Sequence, residues 1–160
     1  MSEIFENAIE LKNVTKKYDG FTLDNINFNV PKGSIMGFIG QNGAGKTTTI
    51  RSILNLVPID EGEIKMFGLD HKKDEREIKE RIAVVFDELP FHDIFNANHM
   101  GKIFGGIYKN WDNEKYSEYL DRLQLPRKKK IGKFSKGMKM KLQIACALSH
   151  NAELLVMDEA

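Results

Sequence analysis

The chain has 160 residues, an apolar fraction of 41% and a formal net charge of +1, so it can bury a core and has no global electrostatic attraction for nucleic acid. Its single cysteine, Cys146, excludes an internal disulfide and suits a reducing compartment. The opening Met-Ser-Glu-Ile-Phe-Glu-Asn is acidic, which excludes a signal peptide, and no apolar run approaches the ~20 residues that span a bilayer. A soluble, cytoplasmic chain is expected.

Residues 8–30 read as antiparallel strands. Ile9 and Leu11, then Ile26, Phe28 and Val30, alternate with polar neighbours, and Tyr18-Asp19-Gly20 supplies the turn. Pro31-Lys32-Gly33 resets the chain before Ile35-Met36-Gly37-Phe38-Ile39, a continuous apolar run expected to be a buried parallel strand. Gly40-Gln41-Asn42-Gly43-Ala44-Gly45-Lys46-Thr47-Thr48 follows and fits G-x-x-x-x-G-K-[ST]. Ile50, Ile53, Leu54 and Val57 then fall on one face of a helix. Strand, glycine loop and helix in that order make a phosphate cradle. Glycines let backbone N–H groups curl around anionic oxygens, and the helix N-terminus adds partial positive charge. Gly40, Asn42, Gly43, Gly45 and Thr48 would line it, Lys46 would reach the outer phosphates, and the Thr47 hydroxyl would ligate Mg²⁺.

Pro58 to Gly62 is a turn, and Glu63–Phe67 is a strand ended by Gly68. The densely charged residues 69–81 are expected to form an exposed helix with a solvated face. Ile82–Phe86 is a second buried strand, closed by Asp87-Glu88-Leu89-Pro90. From Asn96 to about Gly132 the pattern is helical, with one stripe of Met100, Ile103, Phe104 and Ile107 and another of Tyr116, Tyr119, Leu120 and Leu123. Gly101, Gly105 and Gly106 weaken that first helix by roughly 1 kcal/mol each relative to alanine, which points to close packing or mobility. Arg127-Lys128-Lys129-Lys130 lacks interleaved aromatics and reads as a solvated loop. Ser135 caps a helix running to about Leu148. Leu154–Met157 is an apolar strand that delivers Asp158-Glu159 at its carboxyl end, where Asp158 suits a Mg²⁺ shell and Glu159 the polarisation of an attacking water.

With these residues in place, nearly the whole chain resembles the ATP-binding-cassette (ABC) ATPases. Phe134-Ser135-Lys136-Gly137-Met138 looks like the family signature, which usually reads Leu-Ser-Gly-Gly-Gln, and Pro58–Ile64 with Gly68 looks like the family's turn and strand after the loop helix. The resemblance implies an α/β fold: a P-loop NTPase (RecA-like) core with an N-terminal antiparallel β-subdomain and an inserted α-helical subdomain, stopping after the Asp-Glu strand. The expected division is 1–87 for the β-subdomain and first part of the core, 88–150 for the helical and signature subdomain, and 151–160 for the Asp-Glu strand. It further implies ATP and Mg²⁺ as ligands. Tyr18 stands where an aromatic stacks on adenine, and Asp87 matches the glutamine-loop position, with catalytic and metal-binding duty. Two cassettes, identical or different, dimerise head to tail in the family, and Ser135 and Gly137 match positions that cover the partner's nucleotide.

Lys136 replaces a glycine and Met138 a glutamine, and both features resemble bacterial cassettes that pair with separate transmembrane permeases to export drugs or antimicrobial peptides. Lys136 would either strengthen closure of the ATP-bound dimer or point to solvent. Asp87 in place of glutamine would cost about 4 kcal/mol at ~4 Å from a phosphate, so it should face the metal or turn away, with Glu88 as the alternative. The implied protein is the ATPase subunit of an exporter, lying on the inner face of the membrane through its permease, with 88–131 as docking surface. The rivals are a soluble cassette acting on ribosomes or DNA, a kind that usually carries two cassettes or long inserted arms, neither of which is seen here, and a degenerate regulatory cassette. No Asn-Lys-x-Asp guanine-reading motif occurs. Because the family continues beyond Asp-Glu to a switch histidine, and His71, His92, His99 and His150 all precede that pair, the 160 residues resemble the N-terminal portion of a cassette. Such a portion is expected to bind nucleotide, to hydrolyse it poorly or not at all, and to be marginally stable at an open strand edge. The four histidines are expected on the surface or in helix packing.

Overall fold

Strands β1 (Asn7–Tyr18) and β2 (Phe21–Pro31) form an antiparallel hairpin in the computed structural model, which describes residues 6–88 and 91–158. The two-residue turn Asp19-Gly20 joins them, with Gly20 at φ 80°. β3 (Glu61–Met66) adds to the other edge of β1 and β4 (Leu69–Asp70) to β3, giving the order β2-β1-β3-β4. Alternation in β1 breaks at Asn13, which adopts φ 52° where the register slips, so that Val14 rather than Asn13 points inward and is 0% exposed. The facing Gly62 has φ 93°, and a Cβ there would lie 2.3 Å from the Asn13 carbonyl oxygen. The bulge therefore needs a glycine opposite it.

The chain divides into two compact units, Met1–Ile78 and Lys79–Ala160. In the first, Leu11, Val14, Ile64 and Met66 are fully buried, each stabilising the unit by about 1.5–3 kcal/mol. Helix α1 (Lys46–Ile53) is shorter than its apolar stripe suggests: Asn55 turns left-handed at φ 55°, and Val57 falls outside the helix. Ile35–Ile39 departs from expectation. It forms no strand with any described residue, and Ile35 and Ile39 are 102% and 94% exposed. A buried strand needs ladder neighbours for its N–H and C=O groups, and an apolar run does not supply them. Only Phe38 finds an aromatic neighbour here, Phe28, with ring centroids 5.5 Å apart. Residues 69–81 are likewise not one helix; β4 is followed by a short α2 (Glu75–Arg81).

In the second unit, β5 (Ile82–Phe86) pairs in parallel with β6 (Leu154–Asp158), and Phe86 stands opposite Asp158. Arg81 ties the entrance of β5 to that of β6 through two hydrogen bonds to the Glu153 carboxylate, at 2.7 and 3.0 Å. The helical stretch resolves into α3 (Ala97–Ile107), α4 (Asn113–Arg122) and, after a 3₁₀ turn at Ile131–Lys133, α5 (Lys136–Leu148). Asn96 and Asp112 cap α3 and α4 through the His99 and Lys115 N–H groups. Met100, Tyr116, Leu120, Ile131, Leu142 and Cys146 form the core between these helices. Gly101 and Gly105 are explained by packing: a Cβ at Gly101 would lie 2.7 Å from the Tyr116 ring, and one at Gly105 3.1 Å from Trp111. Ile103 and Ile107, expected inside, are 38% and 61% exposed. Among the described residues no helix is long and apolar enough to cross a membrane.

Candidate functional site

The glycine loop of the first unit leads directly into α1. Gly43 and Gly45 adopt φ 83° and 95°, a left-handed conformation that only glycine adopts without strain. Gly45 is also closely approached, since a Cβ there would sit 2.8 Å from Leu23 Cδ1 and 3.1 Å from Phe21 Cζ. The start of β2 is thus packed against the loop. Gly45 is the N-cap of α1, and no side chain makes the cap hydrogen bond. The first N–H groups of a helix have no partner within it, so here they are left to an external acceptor. Thr47 and Thr48 are half-buried in this first turn, while the Thr49 hydroxyl turns back to donate to the Gly45 carbonyl at 2.8 Å.

Lys46 folds over the loop it follows. Its ammonium donates to the carbonyls of Gly40 and Gln41, the latter at 3.0 Å. An ammonium has three donors, so a cation is held over the cradle with capacity for an anion. Asn42 is exposed at the loop's tip. Tyr18 is the last residue of β1 rather than part of the turn; it is 44% exposed, and the Lys16 ammonium lies 5.4 Å from its ring centroid. Across the ladder Tyr18 pairs with Phe21, the residue in contact with the loop.

The second unit gathers the remaining candidates. Asp87 follows Phe86 and Asp158 ends β6, so parallel register brings both to the carboxyl ends of adjacent strands. Asp158 is half-buried; Glu159 lies outside the described residues, as does the Leu89-Pro90 step. Ser135 caps α5, its Oγ accepting from the Met138 N–H at 3.2 Å. Gly137 is exposed beside it. Lys136 does not simply face solvent: its Nζ lies 2.7 Å from Asp87 Oδ1. Two of the residues that depart from the family pattern, one at the end of β5 and one in the signature, thus pair with each other.

Gln143 was not recognisable as a site residue from its type. Its carboxamide accepts from the Phe86 N–H at 3.0 Å and donates to the Phe86 carbonyl at 2.8 Å. The available signal was its position, a polar residue on the buried stripe of α5 between Leu142 and Ala145, where it must find hydrogen-bond partners. His71 and His150 are both buried. His71 Nδ1 meets the Ile64 carbonyl at 3.1 Å, and burial lowers its pKa, with that hydrogen bond opposing the shift. His150 Nε2 meets the Ile82 carbonyl at 2.9 Å and stacks on Tyr108.

A profile of the ABC transporter family matches residues 23–160. The chain belongs to the ABC transporter family. It is 41% identical over 156 residues to the bacitracin transport ATP-binding protein BcrA of Bacillus licheniformis, covering 94% of this chain and 50% of that protein. It is 36% identical over 157 residues to the linearmycin resistance ATP-binding protein LnrL of Bacillus subtilis (strain 168), again covering 94% and 50%. A solved ATP-binding subunit of an ABC transporter superposes with a TM-score of 0.85 at 25% identity, over 95% of this chain and 66% of the other. The fold is accordingly that of the family's nucleotide-binding domains, α/β with an antiparallel β-subdomain. The chain spans about half the length of the curated relatives it matches.

Proposed function

We propose that this chain binds MgATP through Gly40–Thr48 and is the ATP-binding part of a bacterial membrane transporter that exports its cargo. The loop carries the reading: two glycine-only φ values, a helix start without a side-chain cap, and Lys46 folded over the turn. Together they provide the N–H donors and the cation that a polyphosphate requires. The donor set also fits magnesium. Magnesium is usually held by one or two carboxylates together with its nucleotide's phosphates. In the first unit Thr47 would give it a hydroxyl beside the loop. Bound magnesium supplies charge neutralisation at the phosphoryl oxygens.

The remaining roles follow the family pattern. Lys46 holds the outer phosphates, Tyr18 stacks on adenine, and Glu159 orients the attacking water. Ser135 and Gly137 face the nucleotide of a second cassette in a homo- or heterodimer. The Lys136–Asp87 pair does not bar this, because an exposed ion pair contributes about 0–1 kcal/mol, less than the ~1.5–3 kcal/mol of a hydrogen bond to a charged group. The names of the two relatives, a bacitracin transport and a linearmycin resistance ATP-binding protein, favour export. Exposed Ile94, Ile103 and Ile107 on the 88–131 segment favour that face as the dock for a permease, which would hold the chain at the inner face of the membrane. A regulatory cassette that binds ATP without turning it over is the second reading, favoured by the mutual pairing of Asp87 and Lys136.

Calorimetric titration tests the proposal. MgATP should bind in preference to MgGTP, and Lys46→Ala should weaken binding about 10- to 100-fold. Binding that is indifferent to Lys46→Ala would refute the assignment of the loop.

A further inference from the structure

From Arg127 to Lys141 the second unit is rich in cations and contains no Asp or Glu. Some of these cations are engaged. The Arg127 guanidinium turns inward, donating to the Ser117 carbonyl and hydroxyl at 3.2 and 3.0 Å and to the Asp121 carboxylate at 2.7 Å. Lys136 pairs with Asp87, Lys139 reaches Asp93 at 3.5 Å, and Lys141 reaches the Leu123 carbonyl at 3.4 Å. Lys128, Lys129, Lys130 and Lys133 are exposed, and among the described residues no carboxylate pairs with them. The loop that carries them is laced to the entrance of α3. The Ile131 and Gly132 N–H groups donate to the Phe95 and Asp93 carbonyls at 2.8 and 3.0 Å, and the Asn98 N–H donates to the Arg127 carbonyl at 3.2 Å. Ile94, between two residues so held, is 61% exposed. Four ammonium groups without a carboxylate and one bare isoleucine therefore lie along the same laced segment.

We propose that Lys128, Lys129, Lys130 and Lys133, with Ile94, form a contact surface for an anionic lipid bilayer. Like charges crowded into one short loop repel one another, and an anionic surface relieves that repulsion. A nucleic acid is typically met by guanidinium groups that fork onto phosphates and by aromatic rings that stack on bases. Here the arginine of the run is committed inward, and the exposed apolar neighbour is aliphatic. Lysines beside an isoleucine fit a headgroup layer: the ammonium groups meet mobile anionic headgroups, and the side chain enters the boundary with the acyl chains. The contact goes beyond the role in a transporter, since it requires neither nucleotide nor permease. It assigns Ile94 to lipid and leaves Ile103 and Ile107 to the permease.

The test uses the full chain without nucleotide and sedimentation with vesicles of phosphatidylcholine, either alone or mixed with an equal part of phosphatidylserine. The chain should bind the mixed vesicles only, and less as salt is raised. Lys128→Gln, Lys129→Gln, Lys130→Gln and Lys133→Gln together keep the apolar stems and should weaken binding by about 5-fold per lysine, more than about 100-fold in all. Lys12→Gln, Lys72→Gln, Lys73→Gln and Lys109→Gln together change the net charge equally at exposed sites elsewhere, and should weaken it by less than about 5-fold. Ile94→Ser should weaken it about 10-fold and leave the salt dependence as it was. No binding to the mixed vesicles, equal losses in the two lysine variants, or an unaltered affinity in Ile94→Ser would each overturn the proposal. Tighter binding of single-stranded RNA or of polyglutamate, at equal anionic charge, would also overturn it by making the loop a nucleic-acid or an acidic-protein contact.

Discussion

Replacing Gly43 and Gly45 separately by alanine distinguishes backbone strain from packing within one loop. Both have left-handed φ, 83° and 95°, and a non-glycine residue there costs about 1–2 kcal/mol. A Cβ at Gly43 meets nothing within 4 Å, whereas one at Gly45 would lie 2.8 Å from Leu23 Cδ1 and 3.1 Å from Phe21 Cζ. Leu23 is 4% exposed and cannot swing into solvent, so Gly45→Ala adds an overpacking cost of about 1–3 kcal/mol. With a urea slope of about 2 kcal/mol per M, the midpoint should fall by roughly 0.5–1 M for Gly43→Ala and roughly 1–2.5 M for Gly45→Ala. Urea melts followed by far-UV circular dichroism give the comparison, since the single tryptophan, Trp111, lies in the second unit. Equal midpoints for the two variants would refute the packing of β2 against the loop.

Other consequences concern single side chains. Burial lowers the His71 pKa, so below the ordinary value of about 6.5 the unfolded chain takes up a proton that the folded chain refuses. Stability from this group should be full above pH 6.5 and fall as pH drops toward the lowered pKa; His71→Leu should flatten urea midpoints between pH 7 and 5, and an unchanged slope would contradict this. Burial pushes the Cys146 thiol up to about 12, so a thiol reagent should react with it only after urea is added, and rapid reaction with the folded chain would contradict its place in the core. Lys136→Ala should cost less than about 1 kcal/mol, a loss that shrinks in high salt; a larger, salt-independent loss in urea melts would contradict an exposed pair.

Much of the architecture could be read from local pattern, and the failures have local causes. The first hairpin, β5, β6 and the Ser135-capped α5 follow from alternation, short apolar runs and one capping hydroxyl. Ile35–Ile39 has the composition of a buried strand, but composition does not report whether a neighbour offers a ladder. The bulge at Asn13 was hidden for a related reason: it depends on the glycine facing it, Gly62, far along the chain. Of the candidate site, the loop was legible because G-x-x-x-x-G-K-[ST] states its own geometry. The Lys136–Asp87 pair and the bonds from Gln143 to Phe86 were not, because each joins residues about fifty positions apart or more that only the packing of α5 on β5 brings together.

In the proposed function the amides at the start of α1 and the Lys46 ammonium grip a polyphosphate. The most direct measurement is backbone amide NMR of the full chain titrated with MgATP. The largest shifts should fall on Gly43, Gly45, Lys46, Thr47 and Thr48, and they should be much reduced in Lys46→Ala. Saturable ATP binding whose shifts leave these five amides unmoved would contradict the account.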